Sequence, residues 1–154
     1  QQLMEDKLNF LANTDPLTQL CNRRRFMERL EGEISRFLRY SHPASLLIFD
    51  IDHFKKVNDT VGHLAGDHVL RETADLLKKS IRKSDVAARY GGEEFALLLP
   101  HTKEADALAL AERLRRTVAA AATVSSRVTS ASSSDGSSTT RSKAAASTTS
   151  RRWK

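Results

Sequence analysis

The strongest constraint on the fold is a reversal of the chain at Arg89-Tyr90-Gly91-Gly92-Glu93-Glu94-Phe95. An apolar approach from Val86 and an apolar departure through Phe95-Ala96-Leu97-Leu98-Leu99 flank the paired glycines, which is the pattern of a β-hairpin. Glycine tolerates the positive φ angles of tight reversals, and without a Cβ it lets a ligand approach the main chain. Glu93 and Glu94 put carboxylates at the tip. Beside backbone N–H groups such a tip suits a divalent cation with a polyphosphate, and it equally suits a solvated turn. The rest of the chain decides between the two.

Leu3, Leu8 and Leu11 lie among charged residues and predict an amphipathic connector helix over 1–13. Thr14-Asp15-Pro16 ends it, because proline disfavours helical geometry in the residue before it. Asn22 is a good N-cap for a second helix, in which Phe26, Leu30, Ile34, Phe37 and Leu38 recur at helical spacing up to His42-Pro43. Ser45-Leu46-Leu47-Ile48-Phe49 then runs into Asp50-Ile51-Asp52, which predicts a central strand buried on both faces with polar chemistry at its C-terminal end. A short helix over His53–Asp59, the glycine-punctuated Gly62-His63-Leu64-Ala65-Gly66-Asp67, and a helix with Val69, Leu70, Thr73, Leu76 and Leu77 on one face lead to the hairpin. Lys103 to Ala120 forms the last helix, striped by Ala107, Leu110, Ala111, Leu114 and Val118. Residues 14–120 thus read as one domain.

Composition matters chiefly after Ala120. Of the residues from 121 to 154, 23 are Ser, Thr or Ala, and none is Ile, Leu, Phe or Tyr. Such a segment buries too little apolar surface to offset its conformational entropy, so disorder is expected over 121–154. That tail also holds six Arg or Lys against Asp135, so it carries most of the net charge of +6. The folded part is nearly neutral. A basic tail whose one aromatic is Trp153 does not point to specific nucleic-acid binding.

A length of 154 residues with 40% hydrophobic and 29% charged residues fits one soluble domain with its own core. The sequence shows no apolar run of membrane-spanning length and no signal-peptide pattern, so no membrane contact by this segment is expected. The lone Cys21 excludes an internal disulfide framework and suits a cytoplasmic setting. A chain that opens on Gln1 reads as part of something longer.

A carboxylate at the end of an apolar strand, two more at a hairpin tip, and a Lys with an Asn/Asp-rich loop between them favour phosphoryl or nucleotidyl transfer. Mg²⁺ prefers oxygen ligands and is usually held by one or two carboxylates together with substrate phosphates. Lys55 offers a point charge to terminal phosphates, and Asn58 with Asp67 offers donors and acceptors to a base edge. Each also has a plainer reading: Lys55 as a surface helix residue, Asn58-Asp59 as a turn, Asp67 as a helix N-cap.

Taken together, four blocks resemble the GGDEF family of diguanylate cyclases. They are Asp15-Pro16-Leu17-Thr18-Gln19-Leu20-Cys21-Asn22-Arg23-Arg24, Asp50-Ile51-Asp52-His53-Phe54-Lys55-Lys56-Val57-Asn58-Asp59, Gly62-His63-Leu64-Ala65-Gly66-Asp67 and Gly91-Gly92-Glu93-Glu94-Phe95. The resemblance runs from about Leu11 to Ala120. It implies an α/β (α+β) fold, with a mixed, largely antiparallel central sheet flanked by helices and akin to nucleotide cyclases and polymerase palms. It further implies condensation of two GTP into cyclic di-GMP with release of pyrophosphate, in a homodimer with one GTP per subunit and under an upstream sensor or receiver domain. By the same resemblance Asp50 and Glu93, with the Ile51 carbonyl, would hold Mg²⁺ or Mn²⁺, and Glu94 would stand beside the reacting hydroxyl. Phe54 and Lys55 would contact phosphates, Asn58 and Asp67 would read guanine, and Gly91 and Gly92 would let substrate approach. Arg82-Lys83-Ser84-Asp85 resembles the family's RxxD inhibitory site for cyclic di-GMP, with Arg89 close enough to contribute.

The sequence departs from the family after Ala120. Val128-Thr129 matches the start of a family strand, but Ser130-Ala131-Ser132-Ser133-Ser134 follows where apolar residues belong, as a shifted reading frame would leave it. The expected form therefore lacks the usual C-terminal strand and helix. An inactive module binding GTP or cyclic di-GMP, or a non-functional product, is the alternative reading.

Overall fold

The computed structural model describes residues 1–131. Its elements run α1 (Gln2–Asn13), α2 (Arg23–Tyr40), β1 (Ala44–Asp50), α3 (Phe54–Val61), α4 (His63–Ser80), β2 (Val86–Arg89), β3 (Glu94–Pro100) and α5 (Glu104–Ala131). The strands form an antiparallel sheet in the order β1-β3-β2, with helices on both faces, as the α+β expectation required. Among the described residues no helix is long and apolar enough to cross a membrane.

The alternation of strand side chains divides the core in two. Leu47, Ala87, Phe95, Leu97 and Leu99 point to the face covered by α4 and α5, where Leu70, Ala74, Leu77, Ala107, Ala111 and Leu114 are buried with them. Leu46, Val86, Ala88, Ala96 and Leu98 point the other way, onto Phe26 and Leu30 of α2. The stripes read for the last two helices are therefore their core faces. Asn22 caps α2 as its side chain suggested, with its carboxamide oxygen accepting from the Arg25 N–H at 2.9 Å.

The strand expected at the centre is elsewhere. Among the described residues β1 is paired on one side only, and of its residues Leu47 alone is buried, while Ile48 is 38% exposed. β3 is the central strand, buried continuously from Phe95 to Leu99. Both runs are apolar, and the difference between them comes from which one finds neighbours on both sides. The α2 stripe is likewise only half used: Phe26 is buried, but Ile34, Phe37 and Leu38 are 46%, 44% and 76% exposed.

The final helix is longer than its sequence suggested. α5 runs from Glu104 to Ala131, past the Ala120 at which the sequence placed the end of the domain. The run Ala119 to Ala122 has the highest helix propensity of any residue type and carries the helix onward. The expectation for the remaining tail lies outside the described residues.

Candidate functional site

Antiparallel pairing of β1 with β3 sets the site. The register runs from Ala44 opposite Pro100 to Asp50 opposite Glu94, and one step further the Ile51 N–H donates to the Glu93 carbonyl at 3.2 Å. Strand pairing alone thus brings the end of β1 against the hairpin tip. The carboxyl of Glu93 lies within hydrogen-bond reach of Asp50. Desolvation first, then the charge and hydrogen bond of Asp50, then the charge of Glu94, push the Glu93 carboxyl above its ordinary value.

At the tip, the N–H groups of Tyr90 and Gly91 both donate to the Glu94 carbonyl, at 2.8 and 3.2 Å. The reversal does not use the left-handed backbone that the glycines suggested, since Gly62 is the one described glycine with positive φ. At Gly91 an added Cβ would displace the Glu94 carboxylate, which lies against it. Around Gly92 there is open room.

The second wall is built by α3 and α4. Gly62, at φ 102°, turns the chain from one helix into the other, and Gly66 then packs in the first turns of α4 directly against the Asn58 amide. The Asn58 Oδ1 is buried with no hydrogen-bond partner, an acceptor waiting for a donor. Asp67 follows Gly66 inside α4 and does not cap it, because the helix begins at His63. Lys55 is exposed in the first turn of α3. Phe54 is 9% exposed, and its N–H donates to the Ile51 carbonyl at 3.3 Å, so its ring belongs to the core. That leaves the Ile51 oxygen a second lone pair.

Arg82 and Asp85 are brought together by a tight turn, the Arg82 N–H donating to Asp85 Oδ2 at 2.8 Å and the Asp85 N–H to the Arg82 carbonyl at 3.1 Å. They line a groove of about 280 Å³ with Ser80, Leu99, Thr102 and Arg113. Leu99 and Glu94 are near opposite ends of β3, so groove and tip are separated by roughly 17 Å at about 3.4 Å per residue. Arg89 does not join that groove. Its guanidinium holds Asp15 and the Gly92 carbonyl instead.

That contact is what sequence reasoning missed. Asp15 Oδ2 accepts from the Thr18 N–H at 2.8 Å and from Thr18 Oγ1 at 2.7 Å, a side-chain-closed turn legible in Asp-x-x-Thr. Nothing in one sequence pairs Asp15 with Arg89. Tyr90 is a second omission: its ring meets Phe26 edge-on at 6.2 Å and lies 4.7 Å below the Arg23 guanidinium.

Among the described residues no group of three or more His, Cys, Asp or Glu side chains could by itself hold a metal ion. The donors present are the Asp50–Glu93 pair and the Ile51 carbonyl, which fit a cation whose remaining ligands are phosphate oxygens. Repulsion between the two acids is what such a cation relieves.

The chain is thus an α+β domain with an acidic pair at one end of its antiparallel sheet, and comparison with known proteins assigns its family. The family described as diguanylate cyclase, GGDEF domain, matches residues 12–149. The chain belongs to the GGDEF family. It is 51% identical over 108 residues to the diguanylate cyclase DgcP of Pseudomonas aeruginosa, covering 70% of this chain and 16% of that protein. It is 50% identical over 109 residues to the response regulator PleD of Caulobacter vibrioides, covering 71% of this chain and 24% of that one. The crystal structure of the coiled coil and GGDEF domain of DgcB from Caulobacter crescentus, in complex with c-di-GMP, superposes with a TM-score of 0.75 at 33% identity, over 77% of this chain and 62% of that one. The chain spans less than a quarter of the length of these curated relatives.

A carboxyl whose pKa is raised on folding binds its proton more tightly in the native state, so stability falls as pH rises from the ordinary glutamate range through the raised value. Without divalent cation at neutral pH, Glu93→Gln should therefore melt above the parent, by about 1–3 °C because solvent screens much of the repulsion. Thermal unfolding checks this, and a lower melting temperature for the variant would contradict it.

Proposed function

We propose that this chain is a diguanylate cyclase domain, which condenses two GTP into cyclic di-GMP and releases pyrophosphate. The observation that carries the reading is the Asp50–Glu93 carboxylate pair, brought together by strand register, and the buried Asn58 Oδ1 is an unpartnered acceptor in the helix that follows β1. Asn58 Oδ1 accepts from a guanine N–H, and Asp67 accepts from the same edge. Lys55 and the N–H groups at the start of α3 receive the terminal phosphates. Asp50, Glu93 and the Ile51 carbonyl hold the cation. When bound, Mg²⁺ or Mn²⁺ supplies charge neutralisation at the phosphate oxygens.

Each half of the reaction forms a bond between the 3′-oxygen of one GTP and the α-phosphorus of the other. The bond from that phosphorus to the bridging oxygen breaks, and pyrophosphate leaves with the electron pair. Glu94, exposed at the start of β3 and next to Glu93, accepts the hydroxyl proton. One GTP per subunit requires two copies face to face, so the active form is a homodimer. Arg82 and Asp85 bind the product at the far end of the sheet, where it inhibits. An upstream sensor or receiver brings the copies together, and the GTP supply sets the work in the cytoplasm.

Purified protein incubated with GTP and Mg²⁺ should yield cyclic di-GMP by mass, and Glu93→Ala or Glu94→Ala should lower the rate at least 100-fold. Absence of product at high protein concentration, with cyclic di-GMP still bound, would replace the cyclase by a binding module. Arg82→Ala should leave the initial rate within about twofold and weaken product inhibition about tenfold. Unchanged inhibition would remove Arg82 from that role.

Gly66→Ala tests the base pocket separately. Alanine is the better helix former by about 1 kcal/mol but its Cβ also meets the Phe54 ring, so the melting temperature of the variant is measured beside its affinity. Its Cβ takes the place of the Asn58 amide, and GTP affinity measured by calorimetry should fall about tenfold. Unaltered affinity would exclude Asn58 from base recognition.

A further inference from the structure

We propose that Asp15 is a positioning residue for the hairpin tip: it fixes Arg89, and through Arg89 the Gly92 carbonyl, so that Glu93 and Glu94 stay against Asp50. This rests on the reading of the tip as the catalytic edge.

The tip needs such a device. Consecutive glycines leave its backbone with more conformational freedom than any other pair of residues would. Glu93 and Glu94 carry like charges there opposite Asp50, and beyond the Asp50–Glu94 pair the tip is tied to the end of β1 by the Ile51 N–H donating to the Glu93 carbonyl. Arg89 supplies the restraint from the neighbouring strand. Its Nε and Nη2 donate to the Gly92 carbonyl at 3.2 and 2.8 Å, bridging the base of the hairpin to the residue before the first acid. A guanidinium on its own samples many rotamers, so what it can fix depends on what fixes it.

Asp15 meets that requirement because its carboxylate is immobilised independently of Arg89. Thr18 donates to Oδ2 twice, and the Asp15 N–H and C=O pair with the Leu20 carbonyl and the Gln19 N–H at 2.8 and 2.9 Å. Thr18 and Leu20 are 3% and 4% exposed, and Lys78 of α4 donates to the Thr18 carbonyl at 2.9 Å. Beyond the turn, the Cys21 N–H and C=O pair with Ala87 and Arg89 of β2 at 3.1 and 3.0 Å. The turn is therefore bound to the core, to α4 and to the strand carrying Arg89. Arg89 Nη1 approaches its carboxylate at 3.3 and 3.5 Å, with side chains only 20% and 16% exposed. At that burial a charge pair is screened less than on an open surface.

Asp15→Asn isolates the effect, since an asparagine oxygen still accepts from Thr18 and keeps the turn while the charge facing Arg89 is lost. Two readouts on the full chain test it. By hydrogen exchange, the amides of Tyr90 and Gly91, which donate to the Glu94 carbonyl, should exchange about tenfold faster than in the parent, while those of Phe95 to Leu99 stay unchanged. In turnover with GTP, kcat should fall about tenfold and KM should stay within about twofold, because the groups facing base and phosphate are untouched. Combining Asp15→Asn with Arg89→Ala should neither speed exchange at the tip nor lower kcat beyond Arg89→Ala alone. Unchanged tip exchange in Asp15→Asn, or losses that multiply in the double variant, would overturn the positioning role whether or not the protein turns over. A parent that makes no cyclic di-GMP, with the exchange result as expected, would overturn the cyclase reading and leave the clasp in place.

Discussion

The pairing of β1 with β3 is the interaction on which everything else rests. Its register runs unbroken from Ala44–Pro100 to Asp50–Glu94, and both hydrophobic faces of the sheet depend on it. A slip of one residue would turn Leu97 and Leu99 to the wrong face and would carry Asp50 away from Glu93. The core that selects the register and the acidic pair at its end are therefore fixed by one set of backbone hydrogen bonds. Energetically the core supports the site: buried leucines and Phe95 on β3 secure a strand whose first residue is an exposed acid.

At the tip the forces run the other way. Desolvation, then the neighbouring Asp50, then the charge of Glu94 push the Glu93 carboxyl above its ordinary value, the reverse of what a bound cation would do. The surroundings hold the tip by geometry more than by neutralisation. Arg89 grips the backbone at Gly92, Asp15 grips Arg89, and Tyr90 meets Phe26 edge-on beneath the Arg23 guanidinium. Gly91 stays bare so that the Glu94 carboxylate has room. The same logic recurs at Asn58, whose buried oxygen goes unpaired because Gly66 leaves it space.

What the sequence revealed follows from what is local. The hairpin, the Asn22 cap and the core stripes of α4 and α5 were all legible, because turn chemistry, capping and periodicity act over a few residues. The separated motif blocks placed Asp50, Glu93 and Asn58 in one family, and the structure brings Asp50 and Glu93 together. What it hid was tertiary. Ser45–Phe49 and Phe95–Leu99 look alike as apolar runs, yet only β3 has strands on both sides among the described residues. Phe37 and Leu38 share a periodicity with Phe26, but the sheet does not extend beneath them. Arg89 was grouped with Arg82 by nearness along the chain, whereas its partner Asp15 is 74 positions away.

The central claim is that strand register makes Asp50 and Glu93 a cation site completed by nucleotide phosphate. Titration of Mn²⁺ followed by electron paramagnetic resonance, in the presence of GTP, tests it without requiring turnover. Free Mn²⁺ signal should fall as the parent protein is added and should persist, as for nucleotide alone, with Asp50→Asn or Glu93→Gln. Equal depletion of the signal by the parent and both variants would contradict the account.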